Sequence, residues 1–314
     1  MAKCFSLTTT LDTYYKYSFE NSGLKSTPVD LGDGTKMHCW TPKKPNQTKP
    51  NLTLLHGLGA NAMWQWDYFI SNLVDKFNVY VPDLVFFGQS YTTRLERDES
   101  FQARCVCAML QKLSVSKTSV AGISYGGFVA YSMAAQFPAV VEKVVIVCAG
   151  VCLEENDLRD GLFRVSNVDD AAEILLPLSR NKMRELLKIS FYKPRKLIPS
   201  CFLDDYIQVM CTENREERKQ LIAALHKDRN LSNLPKINQS TLIVWGEHDQ
   251  VFPIELAHRL KRHLGESAQL VIIKKAGHAI NIEKPKQLYK YMKSFLLNKP
   301  LPTTASLSNG GSSK

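Results

Sequence analysis

The sequence predicts an α/β protein: a mostly parallel sheet whose strand–helix rhythm is broken by one inserted helical cap. Three observations carry this. From residue 51 to residue 148, short apolar runs alternate with helical stretches of ten or more residues. The alternation stops near residue 153 and returns after residue 234. Several apolar runs end in turns that hold glycine beside a reactive side chain. Continuous apolar runs of this length are strands buried on both faces, and helices between them imply parallel pairing.

Taken in order, residues 24–40 read as a hairpin turning at Gly32-Asp33-Gly34. Residues 51–55 (NLTLL) form a strand and 62–75 a helix. Residues 78–81 (NVYV) form a strand and 99–113 a helix; 118–123 (TSVAGI) form a strand and 126–136 a helix. Residues 143–148 (KVVIVC) add another strand. Residues 153–233 are helical, charged and free of strands, and Pro177, Pro194 and Pro199 break them into pieces. Then 240–245 (STLIVW) and 269–274 (QLVIIK) are strands, followed by helices at 253–264 and 285–297. The expected organisation is therefore one sheet domain in two parts, 1–152 and 234–299, with 153–233 as the cap. The tail 300–314 (PLPTTASLSNGGSSK) is small and polar and is expected to be disordered. A cap inserted between strands of one sheet lies over the carboxyl edge, where open α/β sheets bind ligands.

Composition removes several other classes. At 314 residues, 44% hydrophobic and 22% charged, the chain is globular, neither disordered throughout nor collagen-like nor a coiled coil. Lys and Arg total 40 against 30 Asp and Glu, for a net charge of +10. The basic residues are scattered, and no zinc-knuckle, RNP-like or basic-zipper pattern occurs, so no nucleic-acid partner is expected. No apolar run approaches the roughly 20 residues of a membrane span. Cysteines at 4, 39, 105, 107, 148, 152, 201 and 211 show no metal-ligand spacing, and several lie in apolar stretches. That pattern, with no apolar signal core at the start, points to a reduced, cytoplasmic protein. The Walker pattern and a strand-linked GxGxxG are absent, and no cofactor is expected.

The sharpest motif is Gly122-Ile123-Ser124-Tyr125-Gly126, followed by Gly127. A strand ends at it and a helix starts from it, the setting in which GxSxG presents a nucleophile. A serine at so sharp a turn has a strained backbone, and bulky neighbours two residues away would clash; hence the glycines. Its hydroxyl needs a base, and the base an orienting acid. Asp249 follows one later strand and His278 the next, on the edge that carries Ser124. Asp83 is another carboxylate at that edge, read as ordering its own loop. Glu247 and His248 should point elsewhere. His258 and His263 read as surface or packing residues, His226 as a bystander in the cap, and His38 has no evident partner. The turn His56-Gly57-Leu58-Gly59 frees backbone amides toward the cleft, with the Leu58 and Tyr125 N–H groups as oxyanion donors. His56 itself reads as a loop brace. Trp64, Phe86 and Phe87 are placed at the cleft as lining of an apolar substrate pocket.

HGLG (56–59), PDLVFFGQS (82–90), GISYGGF (122–128), WGEHDQVFP (245–253) and AGH (276–278) occur in this order. With them the chain resembles the α/β-hydrolase superfamily, and more closely a plant serine hydrolase group called monoacylglycerol-lipase-like or carboxylesterase-like. The likeness spans all but the last fifteen residues. It implies an eight-stranded sheet with a helical lid after the sixth strand. It also implies cofactor-free hydrolysis of a small-molecule carboxylic ester, with Ser124, Asp249 and His278 as the triad. Epoxide hydrolases and haloalkane dehalogenases use aspartate where Ser124 stands. Carbon–carbon hydrolases of aromatic ring cleavage share triad and cap but carry GNSMGG and HGxGPG, against Ile123 and HGLGAN here. Ester hydrolysis coupled to decarboxylation in specialised metabolism, and a non-catalytic ligand receptor, are further alternatives within the resemblance.

Overall fold

Strands β1 (Leu24–Asp30), β2 (Thr35–Pro42), β3 (Asn51–Leu55), β4 (Asn78–Pro82), β5 (Tyr91–Thr92), β6 (Thr118–Ile123), β7 (Val141–Val147), β8 (Ser240–Gly246) and β9 (Ala268–Ile273) form one sheet. The computed structural model describes residues 6–194 and 197–302. The strand order is β1-β2-β4-β3-β6-β7-β8-β9, with β5 paired to β2. The β1–β2 and β2–β4 pairs are antiparallel, and every pair along the sheet from β4 to β9 is parallel. Every residue of β6 is buried, as its continuous apolar run requires. Of its two buried polar residues, Thr118 and Ser119, Thr118 shares a hydroxyl hydrogen bond of 3.0 Å with Thr53 on β3.

From β3 the chain steps outward to β4 and then returns to the other side of β3 as β6. The strand order therefore reverses between β3 and β6, and a crevice opens at their carboxyl ends. Leu55 and Gly122 are register partners, so the turns after both strands meet there.

The expected eight strands become nine because Tyr91–Thr92 adds a two-residue strand at the edge of β2. For the same reason the helical insertion follows the seventh strand in chain order. The insertion contains helices Asn156–Arg159, Val168–Leu175, Arg180–Ser190, Ser200–Tyr206 and Arg215–Ala224, with a π-helical turn at Ile207–Cys211. The buried Arg218 ties it down: Nε donates to the Phe86 carbonyl at 2.9 Å, and an Nη donates to Met210 at 2.8 Å.

A helix at Leu7–Asn21 was not legible beforehand. Its sequence, LTTTLDTYYKYSFEN, has no continuous apolar stripe and buries only Thr8 and Phe19. It holds its place by docking: Asp12 accepts from the Trp64 indole at 3.0 Å, and the Thr8 N–H donates to Asp205 of the insertion at 2.7 Å. Tertiary contact here outweighs weak local propensity. The seven described cysteines are unbridged, and six are buried. Among the described residues no helix is long and apolar enough to cross a membrane. The polar tail lies outside the described residues from 303 onward.

Candidate active site

Ser124 stands between β6 and the helix Tyr125–Gln136 with φ 53° and ψ −123°. A non-glycine residue reaches this region only under strain, so its surroundings must hold it. Its N–H donates to Val147 on β7, and its carbonyl accepts from Gly127, both at 2.8 Å. The glycines make room for the turn. A Cβ on Gly122 would overlap the Gly126 carbonyl, one on Gly126 would overlap the Leu55 carbonyl, and one on Gly57 would lie 2.8 Å from Ser124 Cβ.

His278 and Asp249 come to this serine from the loops after β9 and β8. His278 Nε2 is 2.9 Å from Ser124 Oγ, and His278 Nδ1 is 2.9 Å from Asp249 Oδ2. Ionised Asp249 can only accept, so Nδ1 carries the ring proton and Nε2 turns its lone pair to the serine hydroxyl. The other carboxylate oxygen accepts from the Val251 and Phe252 N–H groups, each at 2.9 Å. These bonds hold the carboxylate of Asp249, which is buried. The Cys148 thiol sits against it; burial and the nearby negative charge push that thiol well up, so it remains S–H.

The other ionisable residues at this edge are occupied elsewhere. Asp83 takes His38 Nδ1 at 2.9 Å and the Ala62 N–H at 3.1 Å, which gives His38 the partner that the sequence did not reveal. Glu247 accepts from the Lys275 N–H, and His248 stacks on Tyr192 at 4.5 Å.

Leu58 follows β3. Its N–H donates to none of the described residues. Tyr125 opens its helix, so its N–H has no acceptor one turn back. The loop carrying Leu58 is braced from two sides. Gln65 accepts from the Gly57 N–H at 2.7 Å and donates to the Gly57 carbonyl at 3.2 Å. Tyr206 of the insertion donates its hydroxyl to the Gly59 carbonyl. Neither brace was visible in the sequence, because both depend on contacts between separate elements.

His56 is fully buried, accepts the Leu84 N–H on Nε2 at 2.9 Å and donates from Nδ1 to the Gly57 carbonyl at 2.8 Å. It is a brace, as expected. Burial lowers its pKa, and Arg218 adds to that effect, so the folded protein resists protonating it. The unfolded chain binds that proton more readily. The stabilisation is thus full above the unfolded histidine pKa and is lost as pH falls below it. His56→Ala should cost about 1–3 kcal/mol near neutrality by orphaning the Leu84 N–H. The gap in Tm between wild type and variant should narrow from about pH 7 to about pH 5. A pH-independent gap would contradict the assignment.

A cavity of about 370 Å³ opens between the insertion and the Gln250–Phe252 segment. Leu153, Phe163, Ile174, Leu225, His226 and Phe252 are among the residues that line it. The Phe252 ring is also 5.7 Å from the His278 ring, so the cavity adjoins the relay. Trp64, Phe86 and Phe87, read from the sequence as lining a substrate pocket, are not among the residues that line this cavity. Trp64 packs edge-on against Tyr15 and Tyr206 at 5.2 and 5.6 Å. The Arg97 guanidinium covers Phe86 at 4.4 Å, and Phe87 lies between His56 at 5.0 Å and Arg218 at 4.4 Å. Cation–π contact and helix docking claim all three rings. The lining residues from the insertion carried no sequence signal, because periodicity shows which helix face is apolar but not what it faces.

The chain is 26% identical over 295 residues to monoacylglycerol lipase ABHD6 of Bos taurus, covering 90% of this chain and 85% of that one. It is 28% identical over 295 residues to Lipase 3 of Moraxella sp. (strain TA144), covering 89% and 87%. Among solved structures, a putative lipase (lip1) from Acinetobacter baumannii AYE superposes with a TM-score of 0.78 at 24% identity, covering 95% of this chain and 98% of that one. The model of the alpha/beta hydrolase fold matches residues 50–285. That match takes in most of the chain, including Ser124, Asp249 and His278, and the chain belongs to the α/β-hydrolase fold family.

Proposed function

We propose that the protein is a serine hydrolase that cleaves carboxylic esters through an acyl-enzyme. The observation that carries this is the unbroken relay from Asp249 through His278 to the Ser124 hydroxyl, with both links at 2.9 Å. Ser124 Oγ attacks the ester carbonyl as His278 Nε2 takes its proton. Asp249 holds the ring tautomer and stabilises the imidazolium. The Leu58 and Tyr125 N–H groups, which carry no competing bond, receive the oxyanion. His278 then protonates the departing alcohol, and water attacks the acyl-enzyme by the reverse path. The insertion acts as the cap that roofs the substrate cavity. Its apolar lining supports an ester with an apolar acid or alcohol, in keeping with relatives named as lipases.

A fluorophosphonate probe tests the reading. Labelling should fall on Ser124 and vanish in Ser124→Ala, and a short p-nitrophenyl ester should then be turned over. Labelling without turnover would favour a receptor built on the same fold. Folded protein that takes no label would remove the proposal.

A further inference from the structure

We propose that Glu283 is a positioning residue for His278: its carboxylate pins the loop of the relay histidine to the insertion, so that the imidazole is aligned on Ser124 only while the insertion is seated. The inference rests on the ester-hydrolase reading and concerns how the site of that reaction is held.

Glu283 ends a short helix, Ile280–Glu283, that begins two residues after His278. Its carboxylate turns back toward the chain before the histidine. Oε2 accepts from the Gly277 N–H at 2.6 Å, and Oε1 accepts from the N–H groups of Tyr192 at 3.1 Å and Lys193 at 3.4 Å. Tyr192 and Lys193 belong to the insertion, just past its helix Arg180–Ser190. A second bond runs beside this clamp, from the Ala279 N–H to the Ser190 carbonyl at 2.8 Å. Ser190 closes its helix, and its carbonyl is one of the helix-end acceptors with no partner inside the helix. The peptide groups before and after His278 are therefore both tied down, one through Glu283 and one directly to the insertion.

Gly277 shows how close the two segments come. A Cβ there would lie 2.6 Å from the Ser190 carbonyl oxygen, 2.9 Å from the Tyr192 nitrogen and 3.0 Å from the Phe191 carbonyl carbon. All three are backbone atoms, so the glycine before His278 lets the main chain of the insertion press on the histidine loop. The other relay members are held differently. The Ser124 N–H is bonded to β7, and the Asp249 carboxylate to the N–H groups of Val251 and Phe252. The position of the insertion thus reaches the relay through His278. A carboxylate suits the post because it only accepts, and each of its oxygens faces an N–H donor.

Glu283→Gln tests the assignment. The amide keeps one acceptor and sets an NH2 donor against the other N–H. The kcat for p-nitrophenyl acetate should fall by about 10²-fold, the effect of a small misplacement of a reacting group. KM should change little, because His278 serves both acylation and deacylation. The rate at which a fluorophosphonate labels Ser124 should fall as well, while the end point stays at one probe per chain, since each molecule is folded and only its histidine is out of line. Hydrogen exchange should show peptides covering 190–193 and 277–279 losing protection together. If Glu283→Gln does not fold, Glu283→Asp, which keeps both oxygens but withdraws them by one methylene, is read in the same way. A lowered end point at the wild-type rate would make Glu283 a brace of the fold alone and overturns the proposal. An unchanged labelling rate, loss of protection in only one of the two segments, or loss of folding in both variants overturns it too. Failure of the ester-hydrolase reading looks different: the wild type itself would take no label, or Ser124→Ala would keep wild-type turnover.

Discussion

Ser124→Ala is expected to lower kcat for a short p-nitrophenyl ester by about 10⁴–10⁶-fold, with the fold and Tm retained. The loss is large because the hydroxyl is the only nucleophile in the relay, and His278 has nothing else to activate. Asp249→Asn makes the companion measurement. An amide there can donate as well as accept, so it ceases to fix the proton on His278 Nδ1. About 10⁴-fold should be lost from kcat while the side chain keeps its place. That place depends on the Val251 and Phe252 N–H groups, and an Asn carbonyl oxygen can still accept from both. The two losses should not add when combined, since both act on one proton transfer. Additive losses, or a Ser124→Ala variant within about tenfold of wild type, would show that turnover bypasses the relay.

The second large effect is on stability. Gly122→Ala should destabilise the protein by more than about 3 kcal/mol, read as a lower denaturant midpoint or as insoluble protein. The new Cβ would overlap the Gly126 carbonyl, which is backbone and cannot rotate away as a side chain would. Moving that carbonyl means moving the start of the helix Tyr125–Gln136 and the turn that strains Ser124. Gly59→Ala is the control. It lies in the neighbouring loop, a Cβ there meets nothing within 4 Å, and its φ is not in the left-handed region. It should change stability by no more than about 0.5 kcal/mol. Equal effects at the two glycines would contradict the steric account.

Legibility in the sequence followed the range of the interaction. The strands of the parallel block stood out because a strand buried on both faces must be apolar throughout. The elbow at Ser124 stood out because its glycines stand at fixed spacing around the serine, and Gly122 answers a clash with Gly126 inside the motif itself. Asp249 and His278 could be named because each closes a recognisable strand. The helix Leu7–Asn21 could not, since its reason for being helical lies in Trp64 and Asp205, more than forty residues away. The contacts of the aromatic residues were hidden for a related cause. Trp64, Phe86 and Phe87 have the composition of a pocket wall, but their partners Asp12, Arg97 and Arg218 come from other elements and engage their rings.

By itself, the sequence determined the α/β class and marked the serine, histidine and aspartate that the fold brings within hydrogen-bonding distance, because local sterics and strand burial are written residue by residue. Only the tertiary structure decided which side chains wall the cavity and what braces the loop that carries Leu58. Those outcomes depend on which helix face packs against which loop. Many apolar faces are interchangeable in sequence, and only the packed chain selects among them.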